Sequence, residues 1–177
     1  AQDFHIGLDD SADSLTIGKG STLGTTTSMA IDANGIITKP LQPAFLAIPN
    51  ITNDNANLAS DATVVFNTEV FDVGSNFTSN TFTAPVTGKY QLNMAVRANQ
   101  LDSASAYVRF VIQTSNRGYD AIFDPDFGQD QAYWFFSLSV LADMDASDTA
   151  YIKFSYSGGA QQVDADSLSY FSGYLVA

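Results

Sequence analysis

Aspartate is where this sequence concentrates its chemistry. There are 19 acidic residues, and Glu69 is the single glutamate among them. Two runs stand out. "YDAIFDPDFGQD" holds Asp120, Asp124, Asp126 and Asp130, and "ADMDASD" holds Asp143, Asp145 and Asp148. Two carboxylates on opposite sides of a bound sugar are what glycoside hydrolysis requires. Calcium, which takes several oxygen ligands, is a second use of the same groups. Asp124, Asp126, Gly128 and Asp130 form a D-x-D-x-G-x-D run, although it lacks the acidic twelfth position of an EF-hand loop. The plainest reading is that these aspartates shape turns, because the short side chain hydrogen-bonds nearby backbone. Both runs lie between strand-like segments, so solvated turns are expected. Calcium at Asp124, Asp126 and Asp130 is the metal alternative.

Other chemistries are bounded more sharply. His5 is the only histidine and lies near the start, so the rest of the chain offers no Ser-His-Asp triad. Cysteine is absent, which removes disulfides, Cys-His dyads and thiolate metal sites. The net charge of −12 repels phosphate backbones, and no basic patch is visible, so nucleic acid is not an expected partner. The longest apolar run, "AYWFFSLSVLA", falls short of the roughly 20 residues that span a bilayer. No membrane insertion is expected. The opening residues do not read as a signal peptide. A start at Ala1 inside a β pattern suits a processed chain or a piece of a longer one. The expectation is a non-enzymatic protein with no cofactor, calcium aside.

The elements that must position these residues are strands. Tyr90, Leu92, Met94 and Val96 alternate with polar residues, as do Val108, Phe110 and Ile112. Trp134, Phe136, Leu138 and Val140 share one face, and Ile152, Phe154 and Tyr156 share another. Such segments between turn clusters indicate an all-β sandwich or barrel. One strand is apolar on both sides, with Tyr133 and Phe135 opposite Trp134 and Phe136. Its second face needs a partner, either a neighbouring subunit or a stacked sugar ring. The sequons Asn50-Ile51-Thr52 and Asn76-Phe77-Thr78 matter only in a host that glycosylates secreted protein.

The first 42 residues differ. "HIGLDD", "SLTIGKG", "SMAIDANG" and "IITKP" are short β-like snippets closed by Gly, Asp or Asn. Units this small need neighbouring copies to bury a core. "KPLQP" then reads as a stiff linker. Two domains are expected: a β-structured stem over 1–42 and a head over 43–177.

"FTAPVTGKY" carries Phe82, Pro85, Gly88 and Tyr90. Pro85 ends one strand and Gly88 opens the next, with Tyr90 pointing inward. This spacing resembles the central signature of the complement C1q-like globular head, of the tumour-necrosis-factor jelly-roll superfamily. "PAFLAI" (43–48) is similar to the family's opening strand, and "VVFNTEVFD" (64–72) to its second segment. "SLSYFSGYLVA" resembles its closing strand through Ser169, Phe171, Ser172, Gly173 and Leu175. The resemblance implies a jelly roll of about ten strands that assembles as a tight homotrimer. In such a trimer the interface is expected to contain Tyr133, Phe135, Tyr170 and Phe171. The stem resembles shaft sequence of bacteriophage tail fibres and other virion appendages, which are trimeric too.

Together these readings imply a trimeric appendage on a virion surface, joined through its stem to other virion proteins. Its head would present residues 99–105, 115–130 and 157–166 to a host surface glycan or protein. The alternatives are a purely structural fibre or capsid decoration protein, and an extracellular, secreted bacterial adhesin or matrix protein.

Overall fold

The computed structural model describes residues 1–50 and 54–177, and the sequon at Asn50-Ile51-Thr52 therefore lies partly outside the described residues. No helix occurs among them; the chain is built from strands in two compact units, Ala1–Pro43 and Ala44–Ala177.

The first unit is a single four-stranded antiparallel sheet. Its strands are β1 (Phe4–Asp9), β2 (Ser14–Lys19), β3 (Thr27–Ile31) and β4 (Ile37–Thr38), in that spatial order. The turns follow from local chemistry. Asp9 Oδ1 accepts the Ser11 N–H and hydroxyl at 3.1 and 2.6 Å. Asp32 Oδ1 accepts the Asn34 and Ile36 N–H groups at 2.9 and 2.8 Å, and Gly35 turns with φ of 79°. The aspartates here are turn formers.

The second unit packs two antiparallel sheets face to face. One runs β11 (Gly118–Phe123), β10 (Ser105–Thr114), β13 (Thr149–Gly158), β8 (Thr81–Thr83) and β7 (Phe77–Thr78). The other runs β12 (Gln131–Met144), β9 (Gly88–Leu101), β15 (Tyr170–Leu175), β5 (Ala44–Ile48) and β6 (Thr68–Val73), with the short β14 (Asp164–Ala165) pairing β9. The result is a jelly-roll-like sandwich. The expected alternation places Leu92, Met94, Val96, Phe110, Ile112, Phe136, Ile152 and Phe154 between the sheets. Phe45 stacks on Phe77 and Phe82 at 4.9 and 4.8 Å between ring centres and meets the Phe171 ring edge-on at 5.0 Å. Offset and edge contacts of this kind suit the ring quadrupoles.

The segment before β6 has no ladder of its own but follows β13. Val64 N–H bonds the Ile152 carbonyl at 2.9 Å, and Phe154 N–H bonds the Ala62 carbonyl at 2.8 Å. Asn55, only 4% exposed, grips the same segment: its amide exchanges hydrogen bonds of 2.9 and 2.7 Å with the Val65 backbone.

The Pro85 corner joins β8 to β9 as expected. Gly88 is there for a different reason, however. Its φ is not positive. A Cβ at Gly88 would sit 2.6 Å from both the Ala177 carbonyl oxygen and Leu175 Cδ1. The final residues run back against it, with Lys89 N–H on the Ala177 carbonyl at 2.7 Å. Close approach of backbone, rather than an unusual dihedral, demands glycine. Gly173 is alike: a Cβ would meet Leu92 Cδ2 at 2.7 Å and Phe45 Cε1 at 2.8 Å. Tyr90 is fully buried, and its hydroxyl donates to the Val86 carbonyl at 2.8 Å. Burial pushes its phenol above the ordinary value.

Candidate functional site

Directly paired residues of adjacent strands share a face. The register therefore defines what the β12–β9–β15–β5–β6 sheet turns away from its core. Tyr133 pairs Asn99, Phe135 pairs Arg97, and Ser137 and Tyr170 both pair Ala95. All of these lie on the outer face. Tyr133, Phe135 and Tyr170 are 65%, 56% and 40% exposed, so three large aromatic groups stand bare on one side of β9 or the other. The Arg97 guanidinium sits 5.3 Å from the Tyr133 ring centre and is paired with Asp166.

Phe171 does not belong to this group. It is 0% exposed, locked among Phe45, Phe66 and Phe77. Strand parity is the reason: with Tyr170 outward, Phe171 must point into the core, where no neighbouring subunit can touch it. Ser172 returns to the outer face and Gly173 to the inner one. Asn93 Nδ2 points to Ser172 Oγ at 3.5 Å. Ser139 Oγ donates to Asn93 Oδ1 at 2.6 Å, and Gln91 Nε2 donates to Ser139 Oγ at 2.8 Å. A polar line thus crosses the middle of the face. Its Asn93, Ser139 and Ser172 line a shallow cleft of about 250 Å³ with Ser137 and Tyr170. A more apolar cleft of about 490 Å³ lies beside it, walled by Leu46, Ile48, Leu168 and Tyr170.

The expected loop regions gather differently from their order in sequence. Ala44 pairs Tyr174, and β9 begins near the same level, so the chain enters the head at the end that holds residues 86–89. Thr114 pairs Ala150, and Arg117 meets Asp143 at 2.9 Å; the 115–117 turn is at that entry end. Residues 118–123 are strand β11, not loop. Residues 102–104, 124–130 and 157–163 meet at the opposite end. Asp130 joins all three: it accepts the Ser103 N–H and hydroxyl, both at 3.0 Å, and the Gln162 amide at 3.1 Å. These bonds, the Ser103 backbone first, hold its carboxyl below the ordinary aspartate value. Asp102 accepts the Ala104 and Ala160 N–H groups, and Asp164 accepts from Asn57 and Gln100.

The network does not gather Asp124, Asp126 and Asp130, the residues expected for calcium, around one point. Asp130 is turned to Ser103 and Gln162, and Asp124 Oδ1 takes the Asp126 N–H at 3.2 Å. Among the described residues no group of three or more acidic, His or Cys side chains converges as a metal would require. Three of the other carboxylates weighed for hydrolysis hold partners. Asp120 pairs Arg109 at 3.0 Å, Asp143 pairs Arg117, and Asp148 accepts from Asn116 at 3.0 Å and from the Asp145 N–H at 2.8 Å.

The same end carries an aromatic stack that alternation did not flag. Trp134 and Phe123 lie parallel at 4.1 Å between ring centres, and Phe127 tilts onto both at 5.7 and 5.4 Å. Phe127 is 50% exposed. It sits in "FDPDFG", a loop without period, where only its isolation as a large apolar residue among turn formers marks it.

Fold and site together define an all-β, jelly-roll-like head with one bare aromatic sheet face and one loop-tied end. Residues 44–176 match the C1q domain, and the chain belongs to that family. Solved structures of the same shape include the globular domain of zebrafish complement 1qA protein, 17% identical with a TM-score of 0.58, covering 77% of this chain and 98% of that one. Murine APRIL at pH 8.0 is similar at 13% identity and a TM-score of 0.54, covering 76% and 99%. No curated protein matches the chain by sequence. Among the described residues no helix is long and apolar enough to cross a membrane.

Proposed function

We propose that the chain is a non-enzymatic binding protein that assembles as a homotrimer and presents the loop end of its head to a surface glycan. The carrying observation is the bare sheet face. Tyr133 and Phe135 project from the outer side of a sheet whose inner side is already a sealed core. Contiguous exposed apolar groups of this size mark a contact surface. In a ring, one edge of the face in each chain would meet the other edge in the next, a head-to-tail arrangement that closes at three. Tyr133, Phe135 and Tyr170 are the interface residues in this reading, and Phe171 supports them from the core.

The glycan reading is favoured by the composition of the loop end. Phe127 offers a half-exposed apolar ring tilted onto Phe123 and Trp134, in the same loop as Asp130, which Ser103 and Gln162 hydrogen-bond. Three identical heads would multiply a weak single contact through effective concentration. The setting we propose is a virion appendage, such as a bacteriophage tail or capsid fibre, with the stem unit joining it to other virion proteins. The short Gly- and Asp-closed strands before the head support that setting.

Light scattering on the purified chain tests the assembly: the expected mass is three times 18.9 kDa. A monomer at micromolar concentration overturns it. Labelled trimer should bind bacterial cells, and Phe127→Ala should abolish binding without changing the mass. A trimer that binds no cell or glycan surface would leave a structural fibre or capsid protein in its place. Binding to extracellular matrix alone would point instead to a secreted adhesin.

A further inference from the structure

The first unit protects the wrong face. Its sheet has one side made of His5, Gly7, Thr16 and Gly18, and the loop of residues 20–26 folds back over that side. Leu23 reaches over Gly7, where a Cβ would meet it at 3.1 Å. Lys19 N–H bonds the Thr26 carbonyl at 2.9 Å, and Gly20 N–H bonds the Asp3 carbonyl at 2.8 Å. The other side is left open, and it is the apolar one. Register aligns it in rows across the strands. Ile6, Ile17 and Met29 form one row; Leu8, Leu15, Ile31 and Ile37 form the next. Phe4, Ile6 and Leu8 are 74%, 72% and 73% exposed. A folded sheet of this size does not leave such rows in water, because each buried side chain of this kind is worth about 1.5–3 kcal/mol.

We infer that this open face is the inner wall of the stem, packed against the same face of the other copies in the assembly. The inference rests on the trimer proposed for the head. Three observations select this occupant. The two aliphatic rows carry no charge and no hydrogen-bonding side chain, so they suit a dry sheet-on-sheet contact about 10 Å deep, and Lys19, paired with Phe4 at the end of β2, stands on that face at its margin. The unit's acids, Asp3, Asp9, Asp10, Asp13 and Asp32, outnumber its two lysines, which opposes an anionic lipid surface. Only a short linker separates the sheet from the head, so assembled heads would hold three such faces at high effective concentration.

The chain has no cysteine, so single cysteines report cleanly. Ile17→Cys lies on the open face, and Thr38→Cys, paired with Ala30, lies on the other. Both are made in the full chain, and each variant's mass is measured first. In a trimer, Ile17→Cys should cross-link between copies with a short bismaleimide, whereas Thr38→Cys should not. Maleimide should label Ile17→Cys about tenfold more slowly than Thr38→Cys, as expected of a covered site. Equal labelling rates without cross-linking, at trimer mass, overturn the stem inference and leave the head assembly standing. A monomeric mass overturns both.

Discussion

Gly88 and Asp130 illustrate how single positions carry the head. Gly88 is fixed by the Ala177 carbonyl and Leu175 Cδ1, each 2.6 Å from where a Cβ would be. Gly88→Ala should therefore destabilise the head by about 1–3 kcal/mol, the ordinary cost of forcing an extra methyl into packed surroundings. Urea unfolding would measure it; an unchanged midpoint would show that the C-terminal strand yields freely. Asp130 acts through charge. Its folded value is lowered by bonds from Ser103 and Gln162, so it favours the folded loops at pH above the ordinary value of 3.8. That contribution is lost as pH falls through the lower, folded value. The Ser103 backbone amide should exchange faster below pH 3.8, and Asp130→Asn should remove that pH dependence. The corner at Pro85 was legible in the spacing, but the reason for Gly88 was not. The residues that crowd it, Leu175 and Ala177, are far away in sequence and become neighbours only in the fold.

The strands β12 and β15 separate what aromatic composition alone confuses. Alternation over 132–141 was readable because the strand is long and its inward side is uniformly apolar. "SYFSGY" is shorter, and aromatic residues occupy both parities, so composition could not assign Tyr170 outward and Phe171 inward. Two substitutions should make the difference measurable. Phe135→Asp, on an exposed side chain, should leave the folded signal intact and reduce the mass of the assembly, since a charge buried at a dry contact goes unpaired. Phe171→Ala should instead cost about 3–5 kcal/mol of stability through the cavity it opens beside Phe45 and Phe77. Circular dichroism with light scattering distinguishes them; a trimer retained in Phe135→Asp would remove that residue from the interface. The loop end was legible only in part. Turn composition picked out its segments, but Asp130 joins residues 27 and 32 positions away, a pairing set by the sheet topology.

Taken whole, the molecule joins a sealed sandwich to a sheet that is open on one side. The two units need not respond alike to dilution. If assembly covers both exposed faces, dissociation should increase dye binding to apolar surface at the concentration where the mass falls; a mass change without dye binding would argue against both contacts. The sealed sandwich has a further geometric property. Ala44 lies opposite Tyr174 in the β5–β15 ladder, and Ala177 is clamped beside Lys89 at that end. Both ends of the head's chain therefore leave from one pole, and the Asp130 loops occupy the other. A head of this kind can serve as a plug-in display module. A reporter fused after Ala177 would stay clear of the Asp130 loops. A peptide bridging Ala177 to Ala44 would permit a circular permutation with new ends at the pole of those loops, near Gly159.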